Sequence, residues 1–276
     1  MQNRLLTCDH CPQRIGAPVI FLLAAVAILN GCGTETYEQR LNETAQYFTY
    51  VDARNQALAA NWSSPTVKMR PPIEFKQLKA PQAAPAKTSE ESEPSDPEPT
   101  QTVDPRQPDY LDLVLPGLEG AWRVEVPVDV DNETEERPAY LYVLSNHYLL
   151  QEKRMDEALN FFTDVNSQLA GAFNQFLNTE EFTTEKYPPG KGYSEPQSFQ
   201  VGTFDPENPI GGIPYQLKIY LQELGNNQVV ILLLIPKNIA RESKLKEHID
   251  YSLETFSLSS KSNRGRPNGA TESSEF

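Results

Sequence analysis

The stretch from Tyr215 to Pro236 constrains the fold of this chain more than any other. Tyr215, Leu217, Ile219 and Leu221 alternate strictly with more polar residues, so Tyr215–Leu224 reads as a strand with one buried face. Gly225-Asn226-Asn227 follows, a set of residue types that tolerates positive φ and suits a hairpin turn. The return strand, Gln228–Ile235, carries the unbroken apolar run VVILLLI and is stopped by Pro236. A strand that is apolar on both sides needs cover on both faces, which makes it a central strand with other layers above and below it.

The remaining elements fit around that hairpin. Ser198–Phe204 is a further strand, Trp122, Val124 and Val126 alternate as in a half-buried strand, and Ala139–Ser145 is apolar on both faces, as an inner strand is. The acidic stretch Asp129–Glu136 with Arg137-Pro138 reads as the loop joining those two. Met155–Leu177 is the clearest helix, with a stripe of Ala158, Leu159, Phe162, Val165, Leu169, Ala172, Phe173 and Phe176. Ile239–Phe256 is another, through Leu245, Ile249, Leu253 and Phe256. Thr34–Trp62 has helical spacing at Tyr37, Leu41, Ala45, Phe48, Val51 and Leu58, and serves either as a membrane-proximal stalk or as the first helix of the domain. Residues 64–78 read as a short strand that Pro71 and Pro72 restrict to an edge. This order predicts an α+β fold: an antiparallel sheet of about five to six strands with amphipathic helices packed on it.

Composition divides the chain further. It has 23 prolines in 276 residues, against about 5% in ordinary chains, which points to a Pro-rich segment outside the core. That segment is 81–108, with seven Pro, six Asp or Glu, two Lys or Arg and no aromatic residue. It buries too little apolar surface to offset chain entropy and is expected to be a disordered acidic linker, and the polar tail 259–276 is expected to be disordered too. A formal charge of −14 gives the wrong field for nucleic acid.

At the N-terminus, Arg4 and Arg14 precede the apolar run Val19–Leu29, whose eleven residues suit a secretory signal. A bilayer-crossing helix needs about 20. Leu29-Asn30-Gly31-Cys32 follows at once and resembles the bacterial lipobox, with Leu29, Gly31 and Cys32 matching the motif. The resemblance implies that residues 1–31 are removed as a signal peptide, that Cys32 is lipidated, and that the mature chain sits in the cell envelope, facing the periplasm or the outside. Cys8-Asp9-His10-Cys11 then falls in the part removed. The expected organisation is 1–31 signal peptide, 32–62 lipidated Cys and amphipathic helix, 63–80 edge-strand segment, 81–108 linker, 109–258 globular domain and 259–276 tail.

Two broader resemblances rest on longer stretches. A buried strand, Pro236-Lys237, an amphipathic helix and Ser252-Leu253-Glu254-Thr255-Phe256 are similar to the PsbP-type α/β/α sandwich over about residues 110–258. The lipobox, the Tyr37-to-Trp62 helix, Met69-Arg70-Pro71-Pro72, the acidic linker and Leu115-Pro116-Gly117-Leu118-Glu119-Gly120 together look like the uncharacterised lipoproteins of planctomycete-type bacteria. That likeness implies a location and a shared domain but no activity.

Motifs for chemistry are few. The sequence has no HExxH, no G-x-S-x-G elbow and no Walker loop, and Gly190-Lys191-Gly192 does not open a helix. His147, after the inner strand, is the one candidate base, and Ser145-Asn146-His147 sets a Ser and a His two residues apart. His248 falls beside Ile249 on the last helix. Asp129, Asp131 and Glu133 imitate half a calcium loop but lack its Gly and final Glu. Residues 179–197, with Tyr187, Lys186, Lys191 and Tyr193, form a long loop suited to contact a partner or glycan. The reading that follows is a non-enzymatic, tethered binding or assembly module without cofactor or metal. Its partners are the membrane, through the anchor, and an envelope protein or glycan. The alternatives are a lipid-anchored enzyme working through carboxylates with His147 as base, and a binder of small apolar ligands.

Overall fold

The computed structural model describes residues 34–81, 104–130, 133–190, 193–240 and 243–258. The expected signal peptide over 1–31, Cys32, most of the expected 81–108 linker and the 259–276 tail lie outside them. The chain divides into two compact units, one ending at Ala53 and the other beginning at Arg54.

The fold is α+β. Ten strands and four helices are described, in the order α1 (Thr34–Ala57), β1 (Trp62–Ser63), β2 (Val67–Met69), β3 (Lys76–Gln77), β4 (Leu118–Val130), β5 (Glu133–Ser145), α2 (His147–Gln151), α3 (Met155–Phe173), β6 (Thr183–Tyr187), β7 (Gln197–Phe204), β8 (Tyr215–Leu224), β9 (Asn227–Pro236), α4 (Leu245–Glu254) and β10 (Ser257–Leu258). Seven strands form one sheet in the order β3-β4-β5-β9-β8-β7-β6, with every pairing antiparallel, and β1-β2-β10 form a small second sheet. The main sheet is thus wider than the five to six strands expected. The addition is β6, at one edge; β3, at the other, falls in the 64–78 segment expected to hold an edge strand.

Strand β9 lies between β5 and β8, as its two-sided apolar run requires, and Val229 to Leu234 are all buried. Its alternation sorts the layers. Leu232 and Leu234 share an apolar pocket with Leu169 and Phe173 of α3, whereas Leu233 and Ile235 line a cleft with Ile249 of α4. The sheet therefore has a helix on each face. The turn between β8 and β9 is two residues long, with Gly225 at φ +61°, a conformation that disfavours a side chain.

Several elements differ from the sequence reading, each for a physical reason. Asp129–Pro138 is not a loop, because β4 and β5 continue as a 13-residue hairpin on each side and Asp129 pairs with Thr134. Helix α3 ends at Phe173, where Asn174 takes the left-handed cap conformation. Its buried ridge keeps Ala158, Val165, Leu169 and Phe173 of the expected stripe and adds Phe161, while Leu159 is 53% and Phe176 85% exposed. Helix α1 stops at Ala57, although no Gly or Pro intervenes, because tertiary hydrogen bonds take over: Ile73 N donates to Ala57 O and Ala59 N to Pro71 O, both at 2.9 Å. Its Tyr37, Leu41 and Phe48 are exposed. Helix α4 begins only at Leu245, because Ala240 N bonds Pro127 O at 2.9 Å and Ile239 bridges to Val128, so that segment runs along β4. Residues 104–108, at the end of the acidic segment, are docked on the domain. Arg106 pairs with Asp104 at 2.7 Å and reaches Glu119 O, and Gln107 exchanges two hydrogen bonds with Leu115.

Candidate functional site

A cleft of about 750 Å³ opens between α4 and the β6 edge of the main sheet. Its floor comes from β8 and β9. Lys218 stands opposite Leu233 and Gln216 opposite Ile235, so all four project from the same face of the sheet. One wall is α4, where Lys246, Ile249 and Asp250 occupy i, i+3 and i+4 positions. Buried Leu245, Ile249, Leu253 and Phe256 hold that helix and the turn after it on the sheet. The opposite wall is β6, with Glu185 and Tyr187, followed by Pro189 and Gly190.

An aromatic wedge fixes that second wall. Tyr187, Phe199 and Tyr220 meet edge to face with centroids 5.9–6.1 Å apart, and Phe199 packs on Phe256 at 5.3 Å. Tyr187 is buried, and its hydroxyl donates to Glu185 Oε2 at 2.6 Å. Burial drives the Tyr187 and Tyr220 phenols far above their ordinary range, so both stay protonated. The loop expected over 179–197 thus contains a five-residue edge strand, Thr183–Tyr187, and Tyr187 is part of the wedge rather than a contact at the surface. Tyr193 is 46% exposed, and Lys191 lies outside the described residues.

The electrostatics of the cleft depart from those of the chain. Lys186, Lys218 and Lys246 line it against Glu185 and Asp250, three cations to two carboxylates in a chain of net charge −14. Among the described residues, neither the Lys218 nor the Lys246 ammonium has a hydrogen bond or an ion-pair partner within 4.0 Å. Burial raises the Asp250 pKa, opposed by Lys246 and Lys218 and reinforced by Glu185 and Glu247. Unpaired lysines on a partly apolar floor can receive an anion. Leu233, Ile235 and Ile249 can receive an apolar body. A second hollow of about 440 Å³, lined by Phe162, Gln200, Leu221 and Gln228 among others, contains a single charged residue, Glu223.

Lys186 and Tyr187 are the residues singled out from sequence that line the cleft; His147, Ser145, His248 and Asp129 lie elsewhere and do not converge. The His147 imidazole is on α2, with Gln151 Nε2 2.8 Å from its Nε2. Ser145 instead donates to Glu119, which also accepts from Thr66 at 3.0 Å, tying β2 to the sheet end. Asn146 is fully buried and joins Ala158 O, Asn226 O and Gln228 N, stapling α3 to the β8–β9 turn. The carboxylate next to a histidine belongs to the other one: His248 Nδ1 pairs with Glu74, linking α4 to the segment before β3. Asp129 accepts from Thr134 across the hairpin at 3.2 Å. No group of three or more metal-ligating side chains occurs among the described residues, and no helix among them is long and apolar enough to cross a membrane.

Comparison adds little. No family model matches the chain, and no curated protein matches it. Among solved structures, a crystal structure from Bacteroides thetaiotaomicron VPI-5482 is similar over 75% of this chain at 9% identity, with a TM-score of 0.33. The chain spans 50% of that protein's length.

The cleft residues Lys218, Lys246 and Asp250 were not singled out from sequence. Their signal was faint but present. Gln228–Ile235 demanded cover on both faces, so a lysine on the neighbouring strand beside it points under a covering layer rather than into solvent.

Proposed function

We propose that this chain is a bacterial cell-envelope lipoprotein, held to a membrane by acylated Cys32, whose globular domain is a non-enzymatic binding module with its ligand in the α4–β6 cleft. The observation that carries the reading is the cleft. Its volume of about 750 Å³ falls within the roughly 300–1,000 Å³ usual for ligand sites, and it combines apolar floor residues with charged groups from three elements. The lipobox and the likeness to planctomycete-type lipoproteins support the envelope location. Two acyl chains, at about 0.8 kcal/mol per buried CH₂, anchor stably where one does not. Tethering also raises the effective concentration of any membrane-bound partner, so modest affinity in the cleft suffices.

The test is photo-crosslinking in cells. A benzoylphenylalanine placed at Pro189, an exposed residue on the cleft rim, is expected to capture a molecule covalently, and one placed at exposed Gln168, on α3 across the sheet, is expected to capture nothing. Equal capture at both positions, or none at Pro189, contradicts the reading.

A further inference from the structure

We infer that the ligand of the α4–β6 cleft is an organic anion with an apolar body, its anionic group held by Lys218 and Lys246. This rests on the cleft being the binding site. Two features select the class. Lys218 rises from the sheet floor beside Leu233 and has no counter-ion within ion-pair distance among the described residues, so its ammonium is partly desolvated without compensation in the empty cleft. Such a group gains most from an incoming negative charge. Leu233, Ile235 and Ile249 flank it, and they offer nothing to the hydroxyls of a glycan but can cover a hydrocarbon.

The two carboxylates oppose an anion less than their number suggests. Glu185 already accepts the Tyr187 hydroxyl at 2.6 Å. Asp250 faces Lys246 and Glu247 on its own helix, Lys218 on β8 and Glu185 on β6, and burial biases it toward the neutral form. Asp250 thus acts as a brake on binding that protonation releases. Ionised, it competes with the ligand for Lys218 and Lys246; neutral, it leaves both ammoniums to the ligand. Affinity therefore rises as the pH falls toward its raised pKa.

Titration calorimetry with three probes tests this on the full chain. Octanesulfonate, ionised throughout, is expected to bind, while octanol, with the same body and no charge, and methanesulfonate, with the charge and no body, bind at least about tenfold more weakly. Lys218→Met is expected to lose about tenfold or more for octanesulfonate, while Lys218→Arg retains most of the affinity. Octanesulfonate affinity should increase as the pH is lowered from neutrality into the acid range, and Asp250→Asn should flatten that dependence at the tight-binding end. Melting curves of each variant separate a lost site from a lost fold. Equal binding of octanol and octanesulfonate, or an unchanged affinity in folded Lys218→Met, overturns the inference. If the crosslink at Pro189 yields a neutral or cationic molecule, the ligand class is wrong and the cleft reading stands; if it yields nothing, both fall.

Discussion

Replacing Arg54 by methionine should destabilise the folded domain by about 3–5 kcal/mol, one of the two largest effects expected of any single change in this chain. Arg54 Nη1 lies 2.9 Å from Glu254 Oε1, and the Glu254 side chain is only 1% exposed against 24% for Arg54. Glu254 also accepts from Ser194, so this one carboxylate joins the end of α1, the end of α4 and the chain leading into β7. Removing the guanidinium takes a cation 2.9 Å away from a buried carboxylate, and the desolvation it no longer offsets is the source of the loss. Removing both charges together, in Arg54→Met with Glu254→Leu, should restore most of the stability, because no uncompensated charge remains. Urea unfolding followed by the fluorescence of Trp62 and Trp122 reads both effects. A loss below about 1 kcal/mol in Arg54→Met would place the pair among solvent-screened surface bridges. The outcome bears on function as well, since Glu254 closes the helix that forms one wall of the cleft.

The second large effect is all or none. Cys32→Ala should abolish incorporation of labelled palmitate and move the protein from the detergent phase to the aqueous phase of a Triton X-114 separation, or stall it as precursor. Only the cysteine thiolate can take the diacylglyceryl group, so neither serine nor alanine substitutes for it. The variant would then lack both acyl chains, and no described helix is long and apolar enough to span a bilayer. Labelling and membrane retention that persist in the variant would remove the lipobox reading and with it the tether.

Sequence patterns made the centre of the fold legible and its margins obscure. Strands β7, β8 and β9 match the expected spans to within a residue, because period-two alternation, a Gly-Asn turn and a terminal proline all act locally. The antiparallel sheet with helices on it followed from those spans. Boundaries set by tertiary contacts were not legible. Helix α1 ends where the segment before β3 supplies new hydrogen-bond partners, and α4 starts late because Ile239 and Ala240 bond to β4. The α3 stripe admitted two phases, Phe161 or Phe162 inward, and only packing chooses between them. Strand β6 was hidden because Thr183–Lys186 carries no buried apolar residue, and Tyr187 gains its place from the aromatic wedge.

The candidate site was the least legible part. Lys218 occupies the polar register of an alternating strand, which normally faces solvent, and only the helix arriving from about 30 residues later covers it. His147, the most conspicuous residue in sequence, sits beside Gln151 on a five-residue helix that no periodicity announced.

The proposal that a ligand occupies the α4–β6 cleft is tested most directly by native mass spectrometry of the full chain, extracted from its own membrane in mild detergent. The spectrum should carry the acyl mass plus a small-molecule adduct, and Gln216→Trp, which fills the cleft floor, should lose the adduct and keep the acyl mass. The same adduct in both proteins, or none in the unaltered chain, would contradict a ligand-binding cleft.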